Sequence, residues 1–333
     1  MYYLELVQSI RMITDVCVEI DRGQSVLCIA DSMENMDVMT LIAAEYKAKG
    51  AEVSTVLIDP RRDRHHEPPK VVSDAMKKVD VVIVMVFGSM IHTRARKEAC
   101  AAGVKYATIA GMNKEYLSKL NLSRADLMEV RDLTNRISDL LSNATEARLT
   151  TEAGTDLRMS LSGRKGVSVL PFAEKGQFCV PPCYAESACA PIEDSAEGTV
   201  VVDGTMKGPA DFEGLVETPF KISVHQGMIA EISAEKDGRR LENLLNSLAG
   251  ATRTIAELGV NSNHKIPRKL IGTHIDNAIA GHVHLGLGRN DHIGGKSKTD
   301  VHMDLLITNA TLSLDDTVMI RNGRMDVPRL LCR

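Results

Sequence analysis

The 333-residue chain carries 40 basic and 44 acidic groups, a formal net charge of -4, and 44% apolar residues. That balance gives no support for a nucleic-acid or membrane partner, and no apolar run approaches the roughly 20 residues a membrane span needs. The length points to two domains, and seven cysteines, several of them in apolar stretches (Cys17, Cys28, Cys100), suit reduced thiols in a cytoplasmic protein better than a disulfide framework.

In chain order, MYYLELVQSIRMITDVCVEI reads as an amphipathic helix rather than a secretory signal, with Leu4, Val7, Ile10 and Ile13 at helical spacing. The runs at 24–30, 51–59 and 80–87 are short and apolar, as buried strands are, and VKYATIAG is a fourth. Helical stretches separate them: MDVMTLIAAEYKAKG, VVSDAMKKV and TRARKEACAAG, with another from Arg124 to about Thr145. This alternation predicts a Rossmann-like parallel-sheet α/β domain over 1–145. No Gly-x-Gly-x-x-Gly turn or Walker loop accompanies it, so the shape says little about a cofactor. Asp31, Ser89 and His92 fall at strand ends, where open α/β sheets place sites and where loop polar residues also sit by default. The run Arg61-Arg62-Asp63-Arg64-His65-His66 is broken by an acid, lacks aromatic neighbours and reads as a solvated loop.

From 146 the texture changes to a β-rich α+β domain extending to 333, with a curled or barrel-like sheet expected. Strand candidates are 198–206, 219–233, 254–261, 280–288 and 301–316, and one helix, 238–250, ends on Gly250 as a C-cap glycine. Six of the ten histidines lie between His264 and His302. In a strand, His302 and Asp304 project from one face, as a sheet presents ligands to a divalent transition metal. His284 opens the run HLGLG, whose glycines admit close approach. Glu257 is an acid inside an apolar run, costly to bury unless paired or metal-bound. Glu186 sits in PPCYAESACAPIE, a segment of small residues and prolines. Cys179, Cys183 and Cys189 lack paired Cys-x-x-Cys spacing and are expected to pack. His264, His274 and His292 read as loop residues, and His292 is placed to reach a substrate.

GTDLRMSLSGR, AESACAPIEDSAEGTVVVDGTM, IAELGVNSN, GHVHLGLG and TDVHMD, in that order, resemble motifs of the aminopeptidase T and aminopeptidase S family of two-metal exopeptidases. The resemblance implies metal ligands at Glu186, Glu257, His284, His302 and Asp304, Glu186 or Glu257 as general base, and a homodimer. It also implies a tyrosine seven residues after His284, where this chain has Asp291. GGKSKTDVHMDLLITNATLSLDD resembles instead a second branch of the fold, the 2,5-dihydroxypyridine 5,6-dioxygenases. These use one ferrous iron held by two histidines and a carboxylate, and the resemblance expects a histidine where this chain has Glu257. With all five ligand positions retained, the sequence favours a metal-dependent hydrolase cleaving an amide or peptide bond of a small molecule or short peptide. It would hold one or two zinc, manganese or cobalt ions, with Arg289, Asp291, His292, Lys296 and Lys298 around the substrate. The alternative is a ring-cleaving Fe(II) dioxygenase of hydroxylated heteroaromatics.

Overall fold

A computed structural model describes residues 2–33, 36–60, 67–87, 90–109, 111–112, 114–209 and 212–331. Ser89 and the 61–66 basic run lie outside the described residues. The chain divides into two compact units, one of residues up to Met128 with Leu170–Tyr184, the other of Glu129–Val169, Ala185–Gly208 and Phe212 onward. The division falls inside the long helix Arg124–Asn143. Among the described residues no helix is long and apolar enough to cross a membrane. None of the six described cysteines is in a disulfide.

In the first unit a five-stranded parallel sheet runs Glu52–Ile58, Ser25–Asp31, Val81–Met85, Lys105–Thr108, Phe178–Cys179. Val81–Met85 is buried along its whole length, as expected of a strand covered on both faces, whereas the edge strand Glu52–Ile58 is largely exposed. The last strand comes from the 170–184 segment, far along the chain, and no periodicity in two residues could have announced it. Asp31 is buried, and its carboxylate accepts the backbone N–H groups of Met33 and Phe87, tying two strand ends together.

The second unit holds two antiparallel sheets, of eight and seven strands, instead of one curled sheet. Leu149, Leu157, Val200, Ile222 and Leu312 of the larger share one apolar core with Leu258, Val260, Leu285, Leu305 and Ile307 of the smaller. Two of the expected strands each break in two and change sheets. Glu197–Val202 lies in the larger sheet and Thr205–Lys207 in the smaller; His302–Ile307 lies in the smaller and Thr311–Leu314 in the larger. At the crossing points the Asp203 carboxylate accepts the Thr308 N–H and hydroxyl at 2.8 and 2.6 Å, and Asn309 takes a positive φ. These local bonds turn the chain from one sheet to the other. Lys236–Asn246 is the expected helix, but it ends on Ser247, and Gly250 opens a short 3-10 turn instead of capping it.

Candidate metal centre

The seven-stranded sheet runs Gly214–Leu215, Thr205–Lys207, His302–Ile307, Val283–Gly288, Ile255–Asn261, Glu186–Cys189, Val167–Val169. Alternation along its central strands sends Leu258, Val260, Val283, Leu285, Leu287, Met303, Leu305 and Ile307 into the core. The opposite face carries Glu186, Glu257, Asn261, His284, His302 and Asp304. Register brings them together: Glu186 pairs with Asn261, Glu257 with Gly286, Gly259 with His284, Gly286 with Asp304 and Gly288 with His302. The glycines make the cluster possible. A Cβ on Gly259 would sit 2.0 Å from the His284 ring, and one on Gly286 would sit 2.6 Å from the Glu257 Cβ and 2.9 Å from the His302 ring.

The polar atoms converge. His302 Nε2 is 2.8 Å from Asp304 Oδ1 and 3.3 Å from Glu257 Oε2, while His284 Nε2 is 3.5 Å from both Glu257 Oε1 and Glu186 Oε2. The side chains of Glu257, His284 and Asp304 are 4%, 1% and 3% exposed. Each histidine presents its Nε2 because its Nδ1 is engaged elsewhere, at 2.7 Å from the Arg289 carbonyl for His302 and 2.8 Å from the Asn261 side-chain oxygen for His284. With acceptors at Nδ1, the neutral rings turn lone pairs toward the carboxylates. Asp304 is held by its other oxygen, which accepts from Lys207 at 2.7 Å and Asn277 at 2.9 Å. Its Oδ1 is buried and lies 2.8 Å from His302 Nε2. Lone pairs packed so closely in a dry site repel unless a cation lies between them, so these residues fit a divalent metal.

The electrostatics agree. Burial would raise Asp304, but Lys207 and His302 hold it well below the usual carboxylate range. Burial likewise opposes the charge on Glu257, yet His284 and His302 keep it below its ordinary value. Burial would lower His302, but the Asp304 and Glu257 carboxylates push it up to about 9. A proton thus substitutes for the cation, and an incoming ion must displace it. Metal affinity is therefore expected to fall as pH drops below about 9, by roughly tenfold per unit for each proton displaced. Calorimetric titrations of metal in buffers of different ionisation enthalpy would count the protons, and zero released would refute this.

Not every expected residue joins the cluster in the expected role. Arg289 and Asp291 pair with each other bidentately, so their charges are mutually spent. Lys296 and Lys298 are exposed. His264 bonds Glu129 at 2.8 Å, and His274 opens a 3-10 turn over His274–Ala278. His292, expected beside the substrate, lies against the donors, its ring edge-to-face with His302 at a centroid separation of 5.2 Å. Lys207, Asn261 and Asn277 escaped notice in the sequence. Asn261 sits four residues after Glu257, so strand alternation alone could have found it, whereas Asn277 lies in a turn with no periodicity to reveal it.

The fold and the donor cluster define a class: a parallel α/β unit followed by a β-rich unit that presents an imidazole–carboxylate cluster suited to a divalent metal. The chain matches the NicX family, 2,5-dihydroxypyridine 5,6-dioxygenase, over residues 5–327, and belongs to it. The 2,5-dihydroxypyridine 5,6-dioxygenase of Pseudomonas putida is 26% identical over 265 residues, covering 76% of this chain and 73% of that protein. The solved 2,5-dihydroxypyridine dioxygenase from Pseudomonas putida KT2440 shares the fold, with a TM-score of 0.83 at 17% identity over 99% of both chains. AmpT from Thermus thermophilus shares it at a TM-score of 0.74 and 17% identity, over 98% of this chain and 100% of that one. The likeness to AmpT is one of fold alone. Membership of the NicX family overturns the expected hydrolase and aminopeptidase-like activity: the five retained ligand-type residues are imidazoles and carboxylates, and such donors do not distinguish hydrolysis from oxygen chemistry.

Proposed function

We propose that this protein is a non-haem Fe(II) dioxygenase that opens the ring of 2,5-dihydroxypyridine or a similar hydroxylated N-heteroaromatic. The observation that carries the proposal is the family match along nearly the whole chain, joined to a buried cluster of imidazoles and carboxylates on one sheet face. His302, Asp304 and Glu257 would hold the ion, and imidazole with carboxylate suits ferrous iron. The bound ion supplies the one-electron chemistry that dioxygen needs to react with a closed-shell ring.

The chain's own residues set the stage. Lys207 and Asn277 fix Asp304, and the Arg289 carbonyl fixes His302, so little rearrangement is needed when the ion enters. Glu186 and His284 form an adjacent pair, with His284 raised above its ordinary value by Glu257, Glu186 and Asp304 against the effect of burial. That pair takes up the proton a ring hydroxyl gives up on binding, and the carboxylate–imidazole contact stabilises the charge it acquires. Burial of the cluster excludes bulk water, which protects a reactive ring from side reactions.

The test is direct. Protein reconstituted with Fe(II) under anaerobic conditions and mixed with 2,5-dihydroxypyridine is expected to consume one dioxygen per ring, with both atoms of labelled oxygen in the product. Absence of oxygen uptake from iron-loaded protein, across a panel of hydroxylated pyridines, would overturn the proposal.

A further inference from the structure

Two donor groups share Glu257. Glu186, Glu257 and His284 form one trio, and Glu257, His292 and His302 form the other, each with its ligand atoms within 4.8 Å of one another. His284 turns to the Glu257 oxygen facing Glu186, and His302 faces the other oxygen. The imidazole that shares a space with His302 is therefore His292.

The segment carrying His292 is built around that position. Asn290 is fully buried; its side chain donates to the Ala256 carbonyl at 3.1 Å, next to Glu257, and accepts the Ser297 N–H at 2.8 Å. Its own carbonyl accepts from Ile293 and Gly295. Arg164, buried, donates to the Gly294 carbonyl at 2.8 Å and pairs with Glu193, which accepts the Lys296 N–H. A Cβ on Gly295 would lie 2.1 Å from the Asn290 side chain, so the loop closes only with glycine there. Ile293 packs with Ala188 and Ala190, next to the donors along the sheet. These are bonds that fix a ligand, not those of a mobile substrate lid.

We propose that His292 is a direct donor to the bound ion, the second imidazole beside His302, with Glu257 and Asp304 as carboxylates. A single imidazole among carboxylates favours hard cations, whereas a second nitrogen shifts the set toward later transition metals, iron among them. The proposal rests on the ferrous site proposed above, but donor counting needs no turnover and so separates the two.

Metal-free protein is loaded with one equivalent of Cu(II), and pulsed EPR counts coordinated imidazoles through their remote nitrogens. Two are expected in the wild type and one in His292→Ala, with Co(II) affinity lowered by more than roughly 100-fold, since a lost donor costs more than a lost outer-shell partner. His292→Gln, which fills the volume without an imidazole, is expected to give the same count and guards against a misfolded alanine variant. A wild-type count of one, or an unchanged count in His292→Gln, overturns the proposal. Absent oxygen uptake with an intact count of two overturns only the dioxygenase function.

Discussion

The His302→Ala protein is expected to keep its fold and lose its metal. The imidazole lies on the site face of a strand whose opposite face, Met303, Leu305 and Ile307, is anchored in the core. Removing it leaves the sheet pairing of His302 with Gly288 intact, because that pairing uses the backbone. It does remove the nitrogen that lies 2.8 Å from Asp304 and 3.3 Å from Glu257. A lost ligand costs more than a lost outer-shell partner, so affinity is expected to fall by more than roughly 100-fold, and turnover with it. Circular dichroism checks the fold and elemental analysis checks the metal. Full metal occupancy in a folded His302→Ala protein would remove this residue from the site.

Gly286→Ala is expected to have nearly as large an effect without deleting any donor. The new Cβ would meet the Glu257 Cβ at 2.6 Å and the His302 ring at 2.9 Å. The Glu257 Cβ sits at the base of its side chain and cannot swing aside, and Glu257 is paired across the strands with Gly286 itself. Relief must come from a shift of the strands or of the His302 ring, either of which separates the donors. Overpacking of this kind costs about 1–3 kcal/mol in stability. Metal affinity is expected to drop in parallel, by at least roughly tenfold, since the donors must converge to within a few tenths of an ångström. Denaturant unfolding with and without metal would separate the two effects. An alanine variant with unchanged affinity would show that the glycine is there for strand packing alone.

Much of this was legible in the residues themselves. Strand–helix alternation before residue 146 announced the parallel sheet, because local hydrophobic periodicity follows directly from which faces a strand or helix buries. The same two-residue period put His302 and Asp304 on one face, and the structure has them there, 2.8 Å apart. Glu257 stood out because an acid amid apolar residues is costly to bury alone, and His284 because the glycines that follow it admit close approach; the structure sets the two side chains 3.5 Å apart. Composition could not choose the chemistry: imidazoles and carboxylates serve hydrolysis and oxygen chemistry alike, and family membership had to correct that choice.

What the tertiary structure alone decided depends on distance along the chain. Glu186 meets the cluster only because its strand adds to the edge of Ile255–Asn261 in one register, and a shift of one residue would turn it to the other face. Lys207 reaches Asp304 across 97 residues, through a strand that leaves one sheet and enters the other. His292 comes from a turn without periodicity, placed by Asn290 and by Arg164 and Glu193, whose bonds to Gly294 and Lys296 span 130 and 103 residues of the chain. The residue types that carry the chemistry are a local property of the sequence. Their convergence is set by strand register and by long-range hydrogen bonds, which no local pattern encodes.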